Sequence, residues 1–109
     1  MLAHQFGIMP FPPKSGERFV NYEPQKFDCI SVHDDHILPL LRRFNEIDFY
    51  WHSVDRMGKG LNYYGITLIP PSSMEAFLNV IRGKRKLHKL EKLLIRAKDE
   101  ESFIIHFGI

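Results

Sequence analysis

Apolar residues recur along this chain with two periods, and the switches between them mark out the elements. Residues 47–54 alternate, with Ile47, Phe49 and Trp51 on one side and Tyr50, His52 and Val54 on the other, as a strand requires. The stretch 55–60 carries Gly58 and Gly60 and predicts a hairpin loop. Residues 61–69 read as the return strand, with Tyr64, Ile66 and Leu68 on one face and Tyr63, Gly65 and Thr67 on the other. Pro70 and Pro71 cannot continue a ladder. Ser72 and Glu75 then have the spacing of a capping box, ahead of a helical stripe of Met74, Phe77, Leu78 and Ile81. Gly83 suits the position just past that helix. Helix resumes near Lys86, burying Leu87, Leu90, Leu94 and Ala97, and 102–107 closes as a strand with Phe103, Ile105 and Phe107 toward the core.

Upstream, residues 27–32 have the length and β-branched content of a strand. Residues 33–46 place Ile37, Leu40, Leu41 and Phe44 on one helical stripe. Pro39 must fall in the first turn or bend that helix, because its ring clashes with the carbonyl four residues back. Asp34 and Asp35 stand where negative charge complements a helix start. Residues 9–26 are rich in Pro, Gly, Lys and Glu, show no period, and read as an extended arm.

The order is strand, helix, strand, strand, helix in two pieces, strand. That is the βαββαβ arrangement of a ferredoxin-like α+β fold, a two-layer sandwich with both helices on one face of an antiparallel sheet. Residues 1–26 would be an N-terminal arm packed on a single domain of 27–109. A short echo links the two ends: His4-Gln5-Phe6-Gly7-Ile8 and His106-Phe107-Gly108-Ile109. It is too short for a repeat unit and fits two adjacent, similarly patterned strands.

Composition narrows the setting. At 109 residues, 44% hydrophobic and 26% charged, the chain has the make-up of one soluble globular domain rather than a disordered or fibrous protein. No apolar run exceeds four residues, which excludes a transmembrane helix and a secretory core, and Pro10, Pro12 and Pro13 break up the start. The single Cys29 excludes an internal disulfide and fits a reducing compartment, the cytoplasm. The net charge of +2 is polarised: residues 82–98 hold eight Lys or Arg against Glu91, a local +7 that leaves −5 for the remainder. That run is either a solvated helix face or a contact for an acidic partner or nucleic acid.

If helices cover one sheet face, the other presents Cys29, Ser31, Tyr50, His52, Tyr63, Thr67 and His106. Such a face needs a cover: the arm, a second copy in a homodimer, or a ligand. A catalytic reading would centre on His52 and His106, with Asp55 as orienting acid and Tyr63 positioning a substrate oxygen. Cys29 would be its nucleophile, against the plainer reading of a packed strand cysteine. His33 and His36 are the one close histidine pair, but no third ligand is specified and no metal or cofactor is expected. Residues 57–60 have a faint phosphate-loop texture, yet a strand follows where a helix would be needed. No RNA-recognition signature accompanies the basic run, and in this frame that run lies away from Tyr50 and Tyr63.

The segments His4-Gln5-Phe6-Gly7-Ile8, Tyr50-Trp51-His52, Gly65-Ile66-Thr67-Leu68-Ile69-Pro70-Pro71 and His106-Phe107-Gly108-Ile109 resemble a family of small bacterial proteins to which no activity is attached. The resemblance implies a small, single-domain bacterial cytosolic protein and transfers no functional residue.

The sequence therefore favours a binding module that acts through protein association, as a homodimer, with toxin-immunity proteins as one form. Its contacts would be Tyr50, Trp51, His52, Arg56, Lys59, Tyr63 and Tyr64, since aromatic and Arg side chains dominate interface energetics. The alternatives are a small enzyme or ligand-binding protein with a histidine pocket, and nucleic-acid binding through 82–98. No membrane partner is expected.

Overall fold

The echo between the two ends is a strand pair. In the computed structural model, which describes residues 2–109, β1 (Ala3–Ile8) runs antiparallel to the last strand, Ile104–Phe107, with Phe6 opposite His106 and Ile8 opposite Ile104. On its other side β1 pairs with β2 (Ile30–His33), placing His4 opposite Val32. The strands β3 (Asp48–Trp51), β4 (Met57–Lys59) and β5 (Ile66–Ile69) complete the sheet, and Ile104–Phe107 is β6. The order is β2-β1-β6-β5-β3-β4, and every neighbouring pair is antiparallel.

The expected arm of residues 1–26 is thus two different things. Residues 3–8 are an interior strand, and only the segment after them wraps the domain. A split βαβ unit would leave one strand between β2 and β3, whereas β1, β6 and β5 all lie there, so the order departs from the ferredoxin-like one. The polar letters of His4 and Gln5 disguise β1 as a loop, although His4 is fully buried.

On one face the sheet meets helices. The stripe of 33–46 is broken as Pro39 requires: α1 (Asp34–Ile37) and α2 (Leu41–Phe44) flank a 3-10 turn at 38–40. Two longer helices follow, α3 (Met74–Ile81) and α4 (His88–Asp99), with Gly83 at φ +81 just past α3. Phe6, Val32, Phe49, Ile69 and Ile104 of the sheet join Ile37, Phe44, Phe77, Ile81, Leu90 and Leu94 in the main core. Phe77 sits at its centre, with ring centroids 6.1, 4.8 and 5.8 Å from those of Phe6, Phe44 and Phe49.

The opposite face is also buried. Ile66, Leu68, Ile105 and Phe107 pack under Met9, Phe19 and Phe27 of the wrapping segment. This overturns the assigned facing of Ile66, Leu68, Phe103, Ile105 and Phe107, which lie toward that segment, while Thr67, Ile69, Ile104 and His106 lie on the helical side. All four residues of β5 and of β6 are buried, so alternation carries no contrast between their faces.

Several boundaries shift. β2 starts at Ile30, three residues later than expected, because 24–27 form a 3-10 turn. The loop 55–60 contains β4, and the return strand begins only at Ile66. The capping box does not form: 71–73 are a 3-10 turn, Ser73 Oγ donates to the Asp48 carbonyl, and Glu75 pairs instead with Arg82 and Lys98.

Phe77→Ala should remove about 3–5 kcal/mol of stability, read as a lower urea midpoint with an unchanged slope.

Candidate functional site

Where β1, β6 and β5 adjoin on the helical side, four buried polar side chains and the half-buried Tyr63 form one continuous chain. The backbone N–H of Asn62 donates to Thr67 Oγ1 at 2.8 Å, which frees the threonine hydroxyl to donate to His106 Nδ1 at 3.0 Å. The carboxylate of Asp34 can only accept, so with one proton on each ring His4 Nε2 donates to Asp34 Oδ1 at 2.8 Å, and His4 Nδ1 accepts from His106 Nε2 at 2.9 Å. The Tyr63 hydroxyl donates to the other carboxylate oxygen at 2.7 Å. One proton per bond satisfies every member. Among the described residues no buried side-chain nitrogen or oxygen lacks a partner.

The environment fixes the charge states. Burial pushes the His106 imidazole well below its ordinary value and keeps it neutral. For Asp34 burial acts upward, but the hydrogen bonds from His4 and Tyr63 outweigh it and hold the carboxyl below the usual range. Tyr63 is pushed up to about 12, first by its bond to Asp34 and then by desolvation, so the phenol stays a donor. His4 and Asp34 were the residues sequence reasoning missed for this site. The echo at His4 is their one signal, and Asp34 also keeps its place as a helix-start charge in the first turn of α1. In that latter place it is His33 Nδ1 that accepts from the Asp35 amide.

The expected pair of His52 and His106 is not formed. His106 bonds to His4, and His52 lies in the turn after β3, linked to the chain only through Asn62. His52 adopts a left-handed backbone (φ +64) and fastens the wrapping segment. Its carbonyl accepts from the Phe19 amide at 2.8 Å, and its Nδ1 donates to the Phe19 carbonyl at 2.8 Å. Its Nε2 accepts from the Asn62 amide at 3.2 Å, so both ring nitrogens are occupied. Asp55 is the second fastener, accepting from the Ser15 hydroxyl and the Gly16 amide, which, with Ser15 first, lower its pKa.

Cys29 is half-buried, and burial, then Asp28, pushes its thiol up to about 11, so it is not an activated nucleophile. Trp51 donates its indole N–H to the Gly60 carbonyl and lies across Gly58, where a Cβ would come within 2.6 Å of the ring. The glycines of 57–60 serve this contact. Tyr50 packs on the arm side, whereas Arg56, Lys59 and Tyr64 are exposed. The rings of His33 and His36 lie 6.2 Å apart, and no group of three metal-binding side chains occurs among the described residues.

The wrapping segment leaves concavities. One of about 630 Å³ is bounded by Met9, Phe11, Pro12, Phe19 and Phe27. A second, of about 210 Å³, is bounded by Val20, Tyr22, His52, Tyr64, Ile66 and Phe107. Neither is lined by His4 or His106. Among the described residues no helix is long and apolar enough to cross a membrane. Comparison with known proteins returned no matching family model, no matching curated protein and no matching solved structure.

Two outcomes follow from the buried chain and the fasteners. Below about pH 6.5 the unfolded chain takes up a proton that folded His106 refuses, so stability present above that pH declines as pH falls, by at most about 1.4 kcal/mol per pH unit. Asp34, with its depressed value, adds a further loss below about pH 4. Urea midpoints across pH 4–8 should show this slope for the native chain. The slope between about pH 5 and 6.5 should be flattened in His106→Gln. Separately, His52→Ala combined with Asp55→Ala should expose residues 14–22 to rapid proteolysis while leaving the far-ultraviolet circular dichroism unchanged.

Proposed function

We propose that this chain is a binding module that works by associating with protein through the arm-covered side of the sheet. The observation that carries the reading is a cluster of exposed apolar side chains from two distant segments, Val20 (59% exposed), Tyr22 (63%) and Tyr64 (80%), around one concavity. Two of them are already held in place. Tyr22 packs its ring edge on Phe107 at 5.6 Å, and Tyr64 packs on Tyr63 at 4.8 Å. Aromatic side chains fixed before contact lose little entropy on binding and are the usual anchors of interfaces.

Association is better supported than catalysis. The buried imidazoles border neither concavity, and the ring of His52, which borders one, has both nitrogens engaged. A general base needs a free lone pair within reach of substrate. The first form of association we propose is a homodimer, and an immunity-type cover over a toxic enzyme is a second. Cytoplasmic location and bacterial origin remain part of this reading.

Sedimentation velocity and cross-linking of the native chain and of the double variant Tyr22→Asp, Tyr64→Asp test it. The expected result is a dimer that the double variant turns into a folded monomer. If native and variant chains sediment alike, and capture the same proteins when immobilised, the arm side is not the interface and the reading fails.

A further inference from the structure

The opposite side of the molecule carries a second surface of different chemistry. Eight cations of residues 82–98 divide into two sets. Arg82 and Lys98 are bound to Glu75, and Arg96 to Glu100. Lys84, Arg85, Lys86, Lys89 and Lys92 are exposed and join no ion pair among the described residues. The acid nearest in sequence, Glu91, is engaged by the Gly83 amide. These five cations gather at the turn between α3 and α4 and along the first half of α4.

Their position runs against local stability. The start of α4 and the 3-10 turn before it have no side-chain cap. Acids are the favourable neighbours of a helix start, and the first turn of α4 has one, Glu91, against Arg85, Lys86 and Lys89, whereas the cations of its last turn, Arg96 and Lys98, are both neutralised by acids. Residues that break a local rule without compensation inside the fold mark sites with another purpose. Arg43 of α2 adds a further guanidinium beside this end, held on the carbonyls of Asn79 and Val80.

We propose that this ridge binds the phosphate backbone of double-stranded DNA, independently of sequence. Lys89 and Lys92 are one turn apart on α4, and 84–86 continue the charge beyond its start, so the cations follow a line as phosphates on a strand do. The side chains exposed on the ridge include no Phe, Tyr or Trp, so it offers no platform for the splayed bases of a single strand. The apolar stripe of α4, Leu90, Leu94 and Ala97, is spent in the core and is not free to enter a bilayer. An α-helix, about 10–12 Å across with its side chains, fits against a B-form major groove about 12 Å wide.

Fluorescence anisotropy with a labelled duplex DNA, titrated across salt, tests the proposal. Five phosphate contacts predict a slope of log affinity on log salt of about −4 to −5. Lys86→Ala, Lys89→Ala and Lys92→Ala together should flatten that slope by about 3 and weaken binding at least about tenfold at ~100 mM salt. The charge-matched control Arg18→Ala, Lys26→Ala, Lys59→Ala should bind as the native chain does, and circular dichroism melting verifies that both variants fold. Absence of binding at low salt would overturn the proposal. So would equal loss in the control, tighter binding to a single strand or an A-form RNA duplex, or tighter binding to phosphatidylserine vesicles.

Discussion

The hydrogen bond between the buried imidazoles of His4 and His106 is the contact on which the architecture depends. It joins the first strand to the last, and the same two rings extend the connection to Asp34 at the head of α1, to Tyr63 in the loop before β5, and to Thr67 in β5. Two imidazoles and a carboxylate out of water would be strongly destabilising if any lone pair or proton were left idle. Their complete pairing makes the arrangement an all-or-none condition on the position of β1. Register is the consequence. A slip of one residue would turn His4 toward the arm side, among Phe27 and Phe107, and bring Gln5 into the helical core. The apolar pattern of β1 alone, with Gly7 and Ile8 beside Phe6, would not forbid that slip so firmly. The polar chain is therefore better understood as specifying the sheet than as simply strengthening it.

This division explains what the sequence discloses and what it hides. The elements set by local rules are legible. The stripes of α3 and α4, the glycine after α3 and the break at Pro39 follow from periodicity and backbone sterics within a few residues. The echo of His4 with His106 also falls on two strands that pair in the sheet. What is hidden depends on partners far away. His4 finds Asp34 30 residues on and His106 102 residues on, and no local pattern encodes either distance. The facing of β5 and β6 is hidden for another reason: once the wrapping segment covers the second face, Ile66-Thr67-Leu68-Ile69 and Ile104-Ile105-His106-Phe107 are buried on both sides. Without a contrast between faces the alternation puts Thr67 and His106 on the layer of His52, whereas the fold pairs His106 with His4 and Thr67 on the helical side.

The residues of the stretch 49–73 do unlike jobs. Trp51, His52 and Asp55 are absorbed by the structure, as a lid on β4 and as two anchors for the wrapping segment. Tyr63 divides itself, its hydroxyl on Asp34 and its ring supporting Tyr64. What remains exposed, Tyr64 with Val20 and Tyr22, depends on those anchors for its shape. His52 shows how this is enforced. A non-glycine residue in the left-handed region is strained unless its surroundings fix it, and here the peptide of Phe19, the side chain of Asn62 and the carbonyl of Ile66 do so together. The strain and the docking of the segment are one event.

From this it follows that the two surfaces are coupled unequally to the core. The basic ridge sits on α4, whose Leu90, Leu94 and Ala97 are fully buried in the main cluster, so it can yield only if the whole domain does. The arm side rests on a smaller cluster and on hydrogen bonds at its exposed border, including those of Ser15 and Gly16 to Asp55. Such contacts open at a fraction of the global free energy. A partner arriving on that side meets a cover that carries Val20 and Tyr22 and can adjust beside Tyr64, whereas an anion approaching α4 meets exposed cations on a backbone anchored in the core. Adaptability suits protein association, in which two surfaces must conform to each other. Rigidity suits a polyanion whose charges repeat at a set spacing.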